Sequence, residues 1–245
     1  MTNYLIKITY DGKNFCGYQK QINKRTVGDE VLKALIKLFG SVEDVNGCGR
    51  TDKGVHALEY YISFKSEMYL AAFKVINGLN TYLPKDISIF DCSYPEPEFH
   101  ARYNAKEKEY IYKIYSSVIR SPFQEGYALQ HMFKTDLDKL NSYAEKFIGT
   151  HDFRSFMASG SKITDTVRTV YSSHFKQING MTVYHISANG FLYNMVRIIV
   201  GTLLDIDNGK IDGNCLEDII SAGNRKMAGK TAAADGLYLY KVIYR

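Results

Sequence analysis

The stretch GRTDKGVHA, residues 49 to 57, sets an arginine, a threonine and an aspartate between two glycines. Glycines so placed mark a sharply turning loop that lets backbone or ligand approach closely. An acid on such a loop, here Asp52, is exposed to a substrate, and a carboxylate there can act as a nucleophile or remove a proton. The same spacing also suits an Asx turn, in which Asp52 bonds only its own backbone. A second stretch, FLYNMVRIIVGTLL, residues 191 to 204, is apolar nearly all round at helical spacing, with Arg197 its single charged residue. Such a helix is buried, and an unpaired guanidinium inside it is very costly. Arg197 therefore either snorkels to the surface or meets a carboxylate at the edge of a cleft. Asn194 and Thr202 are its only nearby polar company and leave no wet face to reach, which favours the pairing.

Other candidates carry weaker signals. His56 and His100 read as hydrogen-bonded structural histidines rather than catalytic bases, and His151 with Asp152 reads as a helix-ending turn. Lys106, Lys108 and Lys113 suit phosphate contacts, although the mixed run KEKE is equally a solvated strand end. Arg102, near a proline-rich connector, is the better candidate for a polyanion contact.

The elements that must position these groups are legible from periodicity. Tyr4, Ile6, Ile8 and Tyr10 alternate with Leu5, Lys7 and Thr9 and close on Asp11-Gly12, a strand and its turn. Thr26 is placed to cap a helix whose apolar positions Val31, Leu32, Leu35, Ile36 and Phe39 end at Gly40. A strand running into the Asp52 loop, a strand at 60–65, a helix marked by Leu70, Phe73, Ile76, Leu79 and Leu83, and a strand at 87–92 complete the first half. The connector SYPEPEFHARYN carries Pro95 and Pro97. The second half reads as a strand with Tyr110, Tyr112 and Ile114, then a helix with Leu137, Leu140, Ala144 and Phe147. Two strands about an Asn179-Gly180 hairpin turn follow, then helices across 191–204 and 214–224 and a last strand at 237–244. Both halves, 1–103 and 104–245, thus read as β-α-β-β-α-β, the α+β ferredoxin-like arrangement with helices on one face of an antiparallel sheet. Two such units imply a cleft between them.

Composition bounds the partners. A chain of 245 residues, 45% hydrophobic, is long enough for a large core or two closely packed subdomains. It has no apolar run long enough to span a membrane, and its N-terminus lacks the pattern of an export signal, so a cytoplasmic location is expected. Cys16, Cys48, Cys92 and Cys215 form no CxxC pair, which argues against a zinc site or a disulfide framework. A net charge of +5 favours polyanions. Twenty tyrosines and no tryptophan suit stacking on single-stranded RNA, or simply strand formation.

Five blocks in order, GRTDKGVHA, FHARYNAKEKEY, GTHDFRSF, FLYNMVRIIVGTLL and AGKTAAADGLYL, resemble the TruA-type tRNA pseudouridine synthases. The likeness runs from YDGKNFCGYQKQ at residues 10–21 to the last strand, so it spans nearly the whole chain. It implies a homodimer of two ferredoxin-like subdomains joined in one broad antiparallel sheet, with a central catalytic cleft holding a uridine flipped from the tRNA anticodon arm. The uridines implied are positions 38, 39 and 40 of the tRNA, isomerised to pseudouridine without cofactor or metal. By the same resemblance Asp52 is the catalytic aspartate and Arg197 its ion-pair partner, Tyr110 stacks on the target base, Arg50 assists base extrusion, and Leu237 lines the pocket. Members commonly carry Trp where Tyr18 stands, Gln at Gly28 and Pro at Ala233, departures that bear on which RNA is bound and that also fit a paralogue acting on another RNA site. Two other classes fit parts of the sequence: a non-catalytic RNA-binding module, or a hydrolase using Asp52 as general base. The first has no need of an acid facing a polyanion, and the second needs a metal or a second acid for which no ligand cluster is visible. The charge predicts that tRNA affinity falls steeply between about 50 and 200 mM salt, which filter binding across a salt series measures.

Overall fold

Alternation over strand β1 (Thr2–Tyr10) buries one face completely: Tyr4, Ile6 and Ile8 are inaccessible and Tyr10 nearly so. The computed structural model describes residues 1–132, 134–161 and 163–244, and its contacts divide the chain into two units, Met1–Lys106 with Tyr238–Arg245, and Glu107–Leu237.

In the first unit β1 is followed by α1 (Val27–Phe39), β2 (Glu43–Gly47), β3 (His56–Ser66), α2 (Ala72–Tyr82) and β4 (Ile87–Ser93). The strands lie in the order β4-β1-β3, with β2 on the far edge of β3, all antiparallel, which is the ferredoxin-like order. α1 buries Val27, Val31, Ala34 and Leu35, and Gly40, at φ 76°, ends it by donating its N–H to the Ile36 carbonyl. Thr26 occupies the N-cap position, but its side chain makes no capping bond. α2 is turned relative to expectation. Val75 and Leu79 form its buried stripe, whereas Phe73, two residues before Val75 and so on the opposite side of the helix, is exposed.

The second unit contains β5 (Glu107–Ser116), β6 (Leu129–His131), α3 (Leu137–Ala144), β7 (Gly149–Asp152), β8 (Val167–Ile178), β9 (Met181–Ala188), α4 (Met195–Asp207) and α5 (Leu216–Ser221). Its strands run in the order β5-β9-β8-β7, antiparallel, with the short β6 parallel to the end of β5. Asn179 and Gly180 turn the β8–β9 hairpin with positive φ of 49° and 79°, as a type I′ turn requires. The last strand, β10 (Leu237–Ile243), lies but for Leu237 in the first unit, where Tyr238 and Leu239 pair in parallel with His56 and Ala57.

Three local expectations are corrected. The stretch 191–204 is not helical from its start, because Asn194 takes a left-handed conformation and α4 begins only at Met195. Every residue from Met195 to Ile206 except Arg197 is then buried, in keeping with the apolar pattern. The expected helix at 214–224 is a single 3-10 turn, Gly213–Cys215, and the short α5. His151 and Asp152 end a strand rather than a helix, and Asp152 opens the following 3-10 turn by accepting the Arg154 N–H at 3.0 Å.

Both units use a helical asparagine to satisfy a strand at its outer side. On α2, the Asn80 amide donates to the Ile89 carbonyl at 2.7 Å and accepts the Ile89 N–H at 2.8 Å. On α3, Asn141 accepts the Phe175 N–H at 2.6 Å and donates to the Phe175 carbonyl at 3.2 Å. Both strand residues are half-buried or buried, so an alanine leaves two main-chain groups poorly satisfied. Asn80→Ala and Asn141→Ala are each expected to cost about 1–3 kcal/mol, read as a lower urea midpoint at unchanged slope.

Candidate active site

In the first unit the Asp52 loop is gripped almost entirely by main chain. Residues 52–55 form a β-turn closed by the Val55 N–H to the Asp52 carbonyl at 3.2 Å, with Gly54 at φ 81° in its third position. The Thr51 carbonyl accepts the Tyr18 N–H at 3.2 Å, and the Gly54 N–H donates to the Phe15 carbonyl at 3.2 Å. Gly17, at φ 86°, makes this approach possible, since a Cβ there would lie 2.4 Å from the Thr51 oxygen. Side chains add two further holds. The Tyr60 hydroxyl donates to the Gly49 carbonyl, and the hydroxyls of Tyr10 and Thr51 bond each other at 2.8 Å. Burial pushes the Tyr60 phenol well above its ordinary value, which keeps it a donor. Tyr18 stacks on Tyr60 with ring centroids 4.6 Å apart. Asp52 itself is half-buried and Arg50, two residues before it, is exposed.

His56 is buried and hydrogen-bonded. Its Nδ1 accepts the Gly12 N–H at 3.0 Å, so the ring proton of the neutral form sits on Nε2. Asp11 Oδ1, 3.1 Å from the same nitrogen, accepts instead from the Lys13 N–H at 3.0 Å. His56 is 2% exposed and stacks on Tyr238 at 4.5 Å. His100 is likewise a turn residue whose Nδ1 accepts the Arg102 N–H at 3.0 Å. Arg102 is exposed on the connector, its guanidinium 5.7 Å from the Tyr103 ring.

In the second unit Tyr110 and Arg197 both meet the turn that precedes α4. The Tyr110 ring packs edge-on against Phe191 at 5.0 Å. The Arg197 Nη1 donates to Asn194 Oδ1 at 2.8 Å and its Nε to the Ala232 carbonyl at 2.8 Å. The Ala232 N–H returns a bond to the Arg197 carbonyl at 3.0 Å. Residues 229–232 are laid along α4 by further bonds. The Gly229 N–H donates to Thr202 Oγ1 at 2.9 Å and the Lys230 N–H to Asp205 Oδ2 at 3.2 Å. The Tyr112 hydroxyl, also raised by burial, donates to the Ala233 carbonyl at 2.7 Å. Leu237, 5% exposed, ends this segment and donates its N–H to the Ala234 carbonyl at 2.8 Å. Tyr110, Arg197 and Leu237 are thus tied to one another through two short segments, 191–194 and 229–237. Asn194, named in the sequence as polar company for Arg197, is an actual partner, and an asparagine's tolerance of left-handed backbone is the sequence sign of the turn it makes; the Ala232 carbonyl carries no such sign.

The tRNA pseudouridine synthase family model matches residues 143–245, which include Arg197 and Leu237. A tRNA pseudouridine synthase A from Lacticaseibacillus casei is 40% identical over 247 residues, covering 100% of both chains. A tRNA pseudouridine synthase A 1 from Bacillus cereus is 42% identical over 97% of this chain and 96% of its own. One from Caldicellulosiruptor bescii is 41% identical over 100% of both. The chain belongs to the tRNA pseudouridine synthase A family. Among solved structures, a Cbf5-Nop10-Gar1 complex aligns with 96% of this chain and 57% of its own at a TM-score of 0.41 and 11% identity, a loose likeness that bears on neither site nor substrate.

Within this member of the tRNA pseudouridine synthase A family, the close seating of residue 230 on α4 depends on Gly201. A Cβ at Gly201 would fall 1.8 Å from the Lys230 carbonyl oxygen, a main-chain atom that has no rotamer to escape by. Gly201→Ala is therefore expected to lose about 1–3 kcal/mol or more of stability, measured by urea unfolding.

Proposed function

We propose that this protein isomerises uridine to pseudouridine in the anticodon arm of tRNA, with Asp52 as the catalytic residue and Arg197, Tyr110, Arg50, Arg102 and Leu237 as further site residues. The observation that carries the activity is the 40–42% identity to the tRNA pseudouridine synthases A over essentially the whole chain. The reaction breaks the N1–C1′ bond, turns the detached uracil and forms a C5–C1′ bond, with no net redox change. An ionised carboxylate serves it either by attacking C1′ or by taking a proton from C2′ to give a glycal. The tight hold on the backbone at Thr51 and the turn at 52–55 support Asp52 in this role, because a displaced carboxylate reacts poorly. A guanidinium held by Asn194 and the Ala232 carbonyl keeps a fixed orientation and a permanent charge, suited to orienting a carboxylate or stabilising charge on the leaving uracil.

Tyr110, half-buried against Phe191, offers an aromatic face for a base, and its phenol carries a proton of the kind the isomerisation moves. Extruding the uridine costs a few kcal/mol, which contacts from Arg50, Arg102 and other basic residues to the RNA backbone offset. We further infer a cytoplasmic homodimer, supported by the family resemblance and by bacterial relatives whose names specify tRNA.

Pseudouridine formation expels the hydrogen at C5, so tritium release from tRNA carrying 5-tritiated uridine reads the reaction directly. Asp52→Asn is expected to abolish release while tRNA affinity stays within about tenfold, that is, about 1.4 kcal/mol. Arg197→Lys keeps the charge but loses the planar fork, and should retain the fold by circular dichroism with strongly reduced turnover. Turnover of Asp52→Asn near the parent rate moves the chemistry to another residue.

A further inference from the structure

The tyrosine at the end of β1 has no part in the reaction just proposed, yet its hydroxyl reaches the residue next to the catalytic aspartate. We infer that Tyr10 is a positioning residue, which sets the direction of Asp52 by pinning the hydroxyl of Thr51. This rests on the reading of Asp52 as the catalytic group.

Tyr10 is a rigid starting point. It pairs with Ile87 of β4 on one side and Ala57 of β3 on the other. The β1–β3 register shifts between Ile8 and Tyr10, one extra β3 residue being accommodated there, so Tyr10 faces the fully buried Ala57 instead of the exposed Leu58. Its ring packs edge-on against Tyr60 at 5.7 Å, and Tyr60 in turn holds Gly49. The side chain therefore has a fixed base and a fixed ring.

Thr51 is held at both ends. Its carbonyl accepts the Tyr18 N–H, and its hydroxyl lies 2.8 Å from that of Tyr10, both residues being buried at 7% and 4% exposure. A β-branched side chain has few χ1 choices, so fixing Oγ1 fixes the orientation of the Thr51 Cα–Cβ bond and with it the peptide leading to Asp52. A bond between two buried hydroxyls has little water to compete with it. Tyr18 and Phe15 hold the loop's path through main-chain bonds. The Tyr10–Thr51 pair is the side-chain contact adjacent to Asp52 that a single-atom change can delete without altering shape.

The test compares single-turnover tritium release, tRNA affinity and urea unfolding for Tyr10→Phe, Thr51→Val, their combination, Thr51→Ser and Tyr184→Phe. The last removes an equally buried hydroxyl pair, Ser173 with Tyr184 at 2.7 Å, on β8 and β9 of the second unit. Tyr10→Phe and Thr51→Val are each expected to slow the chemical step about tenfold or more with tRNA affinity within about twofold, since small displacements of a reacting group are costly. Together they should be no slower than either alone, because both delete one bond. Thr51→Ser, which keeps the hydroxyl, should recover most of the rate lost in Thr51→Val, and Tyr184→Phe should react at the parent rate. Parent rates for Tyr10→Phe or Thr51→Val, losses that multiply in the double variant, or an equal loss in Tyr184→Phe each overturn the inference. If Tyr10→Phe does not fold, Thr51→Val against Thr51→Ser decides. An inactive Asp52→Asn beside an unimpaired Tyr10→Phe sinks this inference alone, whereas an active Asp52→Asn removes the reading on which it stands.

Discussion

Main chain resting directly on main chain, with no side chain between, is the constraint on which the site-bearing parts of both units depend. In the first unit the strand-following segment at Gly17 lies against the carbonyls of Thr51 and Asp52. In the second, Lys230 is seated on α4 at Gly201. Contacts this close exclude any Cβ, so the identity of these glycines follows from distance and not from chemistry. The loop or helix turn that carries each candidate side chain is thereby held by bonds that no substrate has to supply.

Tyrosine provides the second layer of that immobilisation. The hydroxyls of Tyr4, Tyr94, Tyr112 and Tyr244 donate to the carbonyls of Met68, Leu70, Ala233 and Ala101 at 2.7–2.9 Å, and Tyr60 does the same for Gly49. Burial raises every one of these phenols above its ordinary value. The sign follows directly. A phenol raised in the folded state stays protonated through neutral pH, where an aspartate is ionised, so these bonds persist there and are lost only as pH rises through the raised phenol values.

The regular elements were legible because their signals are local. Alternation in β1, the Asn179-Gly180 turn and the apolar stripe of α1 each need only a few neighbouring residues to declare themselves. The start of α4 was not, since FLYN continues the apolar pattern and only the left-handed Asn194 breaks the helix. Phe73 misled for a related reason: an apolar residue near a helix start was counted into a stripe that packing set by Val75 and Leu79. The abundance of tyrosine, read as base stacking or strand formation, conceals a third use as a donor to main-chain carbonyls, which depends on partners up to 143 positions away and leaves no trace in spacing. For the candidate site, the types and loop context of Asp52 and Arg197 were readable, while the hydroxyl of Tyr10 and the carbonyl of Ala232 emerged only from the fold.

The asparagines on α2 and α3 have a bearing beyond the bonds they make. Ile89 and Phe175 present an N–H and a C=O outward from their strands, the same pair of groups that a foreign β-strand would recognise. A primary amide matches both groups of a peptide at once and offers no continuing chain, so each clamp terminates the ladder where it would otherwise be open to extension. A variant lacking either amide would keep most of its fold and yet carry a template for intermolecular strand addition, making self-association, and not loss of native structure, its first visible defect.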